Sequence, residues 1–189
     1  MKRIYLLTML LLALAAGCNG SELTDDPESQ TEAAQYVDRL MQDFRDGNLS
    51  VISCPNVQWR HIPYLLEYGK STEIIGGDLS EGPTLRIPAN PISSYLMVQC
   101  SEGMFALWMV EAARIHTLKP LAMGIGGWPS QNPIIQRLNE GQNPPTWFVN
   151  DTAVQKEVLD AYVAWWKNAK GKKSAASQDP LEGTGYMWH

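Results

Sequence analysis

The feature that most constrains the fold is the run from Ser101 to His116. Met104, Phe105, Leu107, Trp108, Val110 and Ile115 leave polar surface only at Glu102, Glu111 and Arg114. A helix that is apolar nearly all round has to be enclosed by other elements, so this one is expected at the centre of a folded domain. It is about sixteen residues long and contains Glu111 and Arg114. Both points argue against a membrane span, which needs roughly 20 apolar residues. Glu111 is expected to pair with Arg114 at i,i+3.

Elements able to enclose such a helix can be read on both sides of it. In Ala33–Arg45, Tyr36, Val37, Leu40, Met41 and Phe44 recur at spacings of three and four, and Gly47 follows as a C-cap. Ile62–Tyr68 is a second helix, with Pro63 in its first turn and Gly69 at its end. Asp151 caps a long helix running to about Lys170, with a buried stripe of Val154, Val158, Leu159, Tyr162, Val163 and Trp166. Lys167, Lys170, Lys172 and Lys173 gather at its C-terminal end, where positive charge complements the macrodipole, and Gly171 stops it. Residues 71–99 are irregular, with a small hairpin expected between Glu73–Ile75 and Thr84–Ile87. Asn132-Pro133 is read as an N-cap opening a short helix to about Glu140. The C-terminal Leu181, Tyr186, Met187 and Trp188 are costly in water, so the tail is expected to dock on the core.

The fold class is therefore mainly α. Asn90-Pro91-Ile92 and Asn132-Pro133-Ile134 lie 42 residues apart, and Leu66–Lys70 resembles Val110–Arg114 at an offset of 44. Helical-pair repeats have periods of this size. An irregular helical bundle and a degenerate HEAT/armadillo-like helical repeat with long loops both remain open.

Residues 1–17 read as a signal peptide. Lys2 and Arg3 form a basic n-region, and Leu6–Ala16 is an apolar stretch interrupted only by Thr8. The stretch ends in Leu14-Ala15-Ala16-Gly17-Cys18. This resembles a bacterial lipobox, in which the Cys is lipidated and becomes the mature N-terminus. Ala15 departs from the usual Leu, and an ordinary cleavage near Ala16 is the alternative. Acyl chains contribute about 0.8 kcal/mol per buried CH₂, so Cys18 would give a durable membrane anchor. The expected location is the cell envelope, as an outer-membrane lipoprotein on the periplasmic or the surface face. Residues 18–32 form an acidic tether with Glu22, Asp25, Asp26, Glu28 and Glu32 and no base. Residues 33–189 are expected to be a single helical domain that includes the docked tail.

The whole chain carries a formal −5 and is 44 % apolar, too apolar for a disordered chain. Removing Lys2 and Arg3 leaves 13 basic against 20 acidic residues, a formal −7. That argues against nucleic acid as a partner and against a polybasic grip on anionic lipid, so the acyl anchor is expected to hold the chain alone. With Cys18 lipidated, Cys54 and Cys100 remain as an even pair in an oxidising compartment. They either form a disulfide or stay as two buried thiols.

Catalytic motifs are lacking. There is no His-Glu-x-x-His, Gly-x-Ser-x-Gly or Ser-x-x-Lys, and Gly124–Gly127 misses a dinucleotide or phosphate-loop fingerprint because Pro129 falls where the last Gly is wanted. His61, His116 and His189 are too far apart in sequence for a local metal pair, so no metal and no cofactor is expected. Glu102 and Glu111 fall on opposite sides of their helix. Cys100 precedes a helix N-terminus, a position that can activate a thiol, but its neighbours match no catalytic signature. Asp151-Thr152-Ala153 resembles a three-residue O-glycosylation site, although Asp151 is already explained as a helix cap.

Seven Trp against three Phe is the compositional oddity. Sugars stack on exposed aromatic faces, so Trp128, Trp147 and Trp165 are the candidate ligand-binding residues. Trp59, Trp108, Trp166 and Trp188 are assigned to the core, and Trp165, next to Trp166, is expected to point outward.

Asn90–Tyr95, Cys100–Arg114, Trp128–Asn132 and Pro180–Trp188 are similar to segments of a family of uncharacterised bacterial (Bacteroidetes-type) lipoproteins, a domain of unknown function. The likeness covers most of Gln35–His189. It implies a mainly helical extracytoplasmic domain and transfers no functional residue. The function expected is a lipid-anchored extracytoplasmic binding or scaffold module, its partners the membrane and a glycan or envelope protein. The alternative is an envelope or polysaccharide hydrolase whose site is assembled from distant residues.

Overall fold

The computed structural model describes residues 27–49, 53–75, 100–119, 127–130, 132–137, 146–148 and 150–189. The signal segment, Cys18, the tether before Pro27, the Thr84–Ile87 strand and Gly124–Gly126 lie outside the described residues. Those described are mainly helical, with two small antiparallel sheets.

Helix α1 spans Pro27–Arg45. It starts before the expected Ala33, so Pro27–Glu32 is helical rather than tether. Pro27 suits a first helical position and Glu28 complements the dipole in the first turn. Ala33, Val37, Leu40, Met41 and Phe44 form its buried stripe. A 3-10 turn, Trp59–His61, leads into α2, Ile62–Tyr68, which has the boundaries read from Pro63 and Gly69.

Helix α3, Glu102–Leu118, is the central helix, buried at every position from Glu102 to Arg114. Ser101 caps it, its Oγ accepting from the Met104 N–H at 3.0 Å. Phe105 stacks on Phe44 of α1 with ring centres 4.0 Å apart. Helix α4, Thr152–Ala169, has Asp151 as N-cap, accepting from the Ala153 and Val154 N–H groups at 2.9 and 3.0 Å. It ends at Lys170 and Gly171, both left-handed, with φ of 49° and 72°.

A buried amide joins three of these helices. Gln155 of α4 donates to the carbonyls of Gly69 and Ser71 at 3.0 and 2.8 Å and accepts from the Ser101 hydroxyl. Gly103 lies beneath it. A Cβ there would run into Gln155 Nε2 and the Ser71 carbonyl, and would come within 2.6 Å of the Gly69 carbonyl.

The strands add one pairing and correct one expectation. Ile74–Ile75 (β1) pairs antiparallel with Cys100–Ser101 (β2), Ile75 opposite Cys100. The residues after Asn132-Pro133 do not form a helix. Ile135–Arg137 is a strand, β3, flanked by Thr146–Phe148 (β4) and Tyr186–Trp188 (β5) in the order β4-β3-β5. A β-branched pair, Ile134-Ile135, and two antiparallel partners outweigh the local Asn-Pro signal. The tail thus docks by strand pairing, reinforced where the His189 N–H donates to the Ile134 carbonyl at 3.0 Å and the Asn132 N–H to the His189 carbonyl at 2.9 Å.

Candidate functional site: an exposed aromatic sheet face

Alternation divides the three-stranded sheet into two faces. In register, Ile135 lies between Phe148 and Trp188, and Arg137 between Thr146 and Tyr186. This face turns toward α4. Tyr186 donates from its hydroxyl to Glu157 Oε2 at 2.7 Å and receives a bond from Arg137, whose guanidinium lies 4.3 Å above the Tyr186 ring centre.

The opposite face carries Gln136 between Trp147 and Met187. Trp147 is 43 % and Met187 41 % exposed. Strands lie about 4.8 Å apart, so the two apolar side chains flank the amide over roughly 10 Å. His189 continues the alternation, and its ring meets Trp147 at 4.7 Å between centres, tilted by 30°. One surface thus combines an indole, an imidazole, a primary amide and a thioether. It can stack a flat apolar ligand face and hydrogen-bond its edge.

The three tryptophans proposed from sequence do not come together. Trp147 is exposed. Trp128 is half-buried and stacked on Trp108, with centres 4.7 Å apart at 14°. Trp165 is a core residue, 6 % exposed, edge-on to Trp59 at 5.5 Å and donating from Nε1 to the Ala175 carbonyl at 3.1 Å. The buried stripe of α4 runs Val154, Val158, Tyr162, Trp165, Ala169, taking its step of three at Trp165. Trp166 is consequently the half-buried one of the pair. Met187, Gln136 and His189 were missed as site residues. The signal available was the two-residue alternation in Tyr186–His189, which puts Met187 and His189 on the same face.

The groups considered for catalysis have structural partners. Glu111 pairs with Arg114 as the i,i+3 spacing suggests, through Oε1 to Nη2 at 2.6 Å and Oε2 to Nε at 2.9 Å. The Tyr162 hydroxyl donates to Glu111 Oε2 at 2.7 Å and accepts from Trp188 Nε1 at 2.8 Å. Burial, reinforced by the Glu111 charge, holds that phenol well above its ordinary range, so it stays a neutral donor. Arg114 also donates to the Ala176 carbonyl at 2.8 Å. At the other end of α3, Glu102 is ion-paired with Arg45. His61 stacks on Tyr36 at 4.3 Å and accepts from the Gln58 N–H at 3.0 Å. Burial and then the nearby Arg60 charge lower its pKa to about 4, so it is neutral. The ring nitrogens of His116 lie 3.2 Å from the Val57 carbonyl and 3.1 Å from that of Gly127.

The expected Cys54–Cys100 disulfide is not formed, and both thiols are free. Cys100 is fully buried in β2 beneath α3, whereas Cys54 is half-buried in the segment before the Trp59 turn, near Tyr36. Burial pushes each thiol up to about 12, which leaves neither as a ready nucleophile. Among the described residues, no three His, Cys, Asp or Glu side chains gather as a metal set, and no helix is long and apolar enough to cross a membrane.

A family model described as Domain of unknown function (DUF4943) matches residues 27–189, starting at the first residue of α1. No curated protein and no solved structure matches the chain.

Proposed function

Because the chain belongs to the DUF4943 family, whose activity is undefined, we propose from its own geometry that it is a lipid-anchored extracytoplasmic binding module. Its ligand surface is the outer face of the C-terminal sheet. The observation that carries this reading is the exposure of Trp147 and Met187 on either side of Gln136, with His189 against the indole. Exposed apolar side chains grouped in this way mark interaction surfaces. The ligand class favoured is a glycan, since an indole face takes the apolar face of a sugar ring and the flanking amide can bond its hydroxyls. The anchor is Cys18, carried by the lipobox-like Leu14–Cys18. The hydrolase alternative has weaker support, because Glu111 and His61 are committed to separate contacts and Cys100 is a buried thiol held protonated.

The test is a glycan array probed with the mature chain, followed by titration of any hit. Trp147→Ala is expected to weaken binding roughly tenfold or more, the loss of one aromatic stack and its buried area. Full affinity in Trp147→Ala, or an array without hits, would refute the glycan surface. Metabolic labelling with palmitate tests the anchor separately, with Cys18→Ala expected to abolish label.

A further inference from the structure

The formal charge of −7 in the mature chain hides a local reversal. From Ala161 to Gln178 the sequence has four lysines and no acid. Lys167, Lys170, Lys172 and Lys173 are all exposed, at the C-terminal end of α4 and in the turn beyond it. Among the described residues, no carboxylate lies within ion-pair distance of Lys167, Lys170 or Lys172, while Lys70 and Lys156 are paired with Glu67 and Asp160.

The fold links this cluster to helix α1, into which the tether runs. Trp59 donates from Nε1 to the Gly171 carbonyl at 2.7 Å, in the middle of the lysine turn, and its ring packs on Trp166 at 5.2 Å. Two residues on, His61 stacks on Tyr36 at the midpoint of α1. The Trp59–His61 turn is therefore gripped from one side by the lysine end of α4 and from the other by the helix into which the tether runs. Arg60, exposed in this turn, adds a further cation.

We propose that this lysine end is a docking surface for anionic lipid headgroups, which turns the anchored domain so that its aromatic sheet faces away from the bilayer. The proposal rests on the anchor reading for its setting. Residues 19–26 extend to at most about 28 Å, so an acyl group on Cys18 holds the cluster within reach of the surface. Attraction to headgroups acts over about 8 Å at physiological salt, so the cluster has to be brought close, which the tether does. Tethering also makes a weak surface affinity sufficient. Apart from this cluster the mature chain is net acidic, so the lysine end is the surface drawn to such lipid. The sheet packs along the middle of α4, from Glu157 to Tyr162. From Tyr162 to Lys170 is roughly 12 Å of helix, and Trp147 sits on the sheet face turned away from α4, which keeps it clear of the headgroups.

The test uses the mature chain with Cys18→Ser, so that no acyl group contributes, and vesicles of equimolar phosphatidylglycerol and phosphatidylcholine beside vesicles of phosphatidylcholine alone. Sedimentation with the anionic vesicles only, lost at high salt, is expected. Each lysine contributes about fivefold, so the triple variant Lys167→Gln, Lys170→Gln, Lys172→Gln is expected to lower partitioning roughly a hundredfold. The matched triple Lys70→Gln, Lys119→Gln, Lys156→Gln removes the same charge elsewhere and is expected to change it far less. Equal losses in the two triples, or equal binding to both vesicles, would overturn the proposal. So would binding that emerges only when Glu22, Asp25 and Asp26 are neutralised, since the tether would then occupy the cluster. Palmitate labelling reads the anchor independently of these outcomes.

Discussion

Replacing Arg114 by Met tests how the buried Glu111–Arg114 ion pair of the central helix is held. Glu111 is 5 % and Arg114 8 % exposed, and the carboxylate receives two bonds from the guanidinium and one from Tyr162. Arg114→Met leaves the carboxylate in the core with the phenol as its remaining donor and strips the Ala176 carbonyl of its partner. Removing one member of a buried pair costs about 3–5 kcal/mol, a large share of the roughly 5–15 kcal/mol that stabilises a domain. For a chain of this length the loss lowers Tm by roughly 6–20 °C. The double variant Glu111→Leu, Arg114→Met removes both charges. It is expected to recover most of that cost and to stay about 1–3 kcal/mol below wild type, because the Ala176 carbonyl still lacks its donor and the Tyr162 O–H has lost its acceptor. Urea unfolding followed by tryptophan fluorescence reads all three proteins, with an unchanged m-value as the condition for comparing midpoints. An Arg114→Met protein within about 1 kcal/mol of wild type would refute the buried-pair reading. A double variant no better than the single one would show that side-chain packing, not uncompensated charge, sets the cost.

Four further outcomes follow from the contacts described. Gly103→Ala forces a methyl group against two carbonyls and Gln155, and is expected to cost at least about 3 kcal/mol or prevent folding, read by thermal melting of the soluble fraction. His61 takes up a proton near 6.5 when unfolded and near 4 when folded. Its stabilising contribution is therefore present above pH 6.5 and lost as the pH falls toward 4, by at most about 3 kcal/mol. Urea midpoints between these limits should fall more steeply in wild type than in His61→Gln. With Cys18→Ser in place, Ellman's reagent is expected to react slowly with the folded chain and to find both thiols on denaturation; an intact mass that shifts with reductant would contradict free cysteines. Trp165→Ala is expected to cost about 3–5 kcal/mol and Trp147→Ala within about 0.5 kcal/mol, compared by urea unfolding, because one indole is in the core and the other on the surface.

The helices were legible because their signals are local. Pro63 and Gly69 bound α2, Ser101 caps α3, and Asp151 and Gly171 bound α4. The i,i+3 spacing of Glu111 and Arg114 likewise needs only one helix to be realised. The three-stranded sheet was not legible in the same way. Its strands are three residues long, and β3 takes its two partners from Thr146–Phe148 and from Tyr186–Trp188, far along the chain. Nothing within Pro133–Arg137 states that pairing, and the Asn-Pro dipeptide favours a helix locally. Choosing between Trp165 and Trp166 fails for a related reason. Steps of three and four both keep a stripe buried, and Trp59 touches both indoles; what marks Trp165 as the inner one is its Nε1 bond to the Ala175 carbonyl, beyond the helix.

The same limit explains why composition misleads about charge and about tryptophan. A net charge averages over the surface, whereas attraction to a bilayer depends on the charge within about a Debye length of it. In the proposed arrangement, the anchor on Cys18 would select which surface that is. Alternation does comparable sorting in the last four residues. Tyr186 and Trp188 turn inward, where Trp188 closes the hydrogen-bonded chain through Tyr162 to Glu111. Met187 and His189 turn outward beside Trp147. The buried ion pair of the central helix and the exposed aromatic face are therefore joined through one strand. Loosening Trp188 releases the backbone that positions Met187 and His189, so under the proposed binding role Trp188→Phe is expected to weaken ligand affinity at the sheet without touching the ligand.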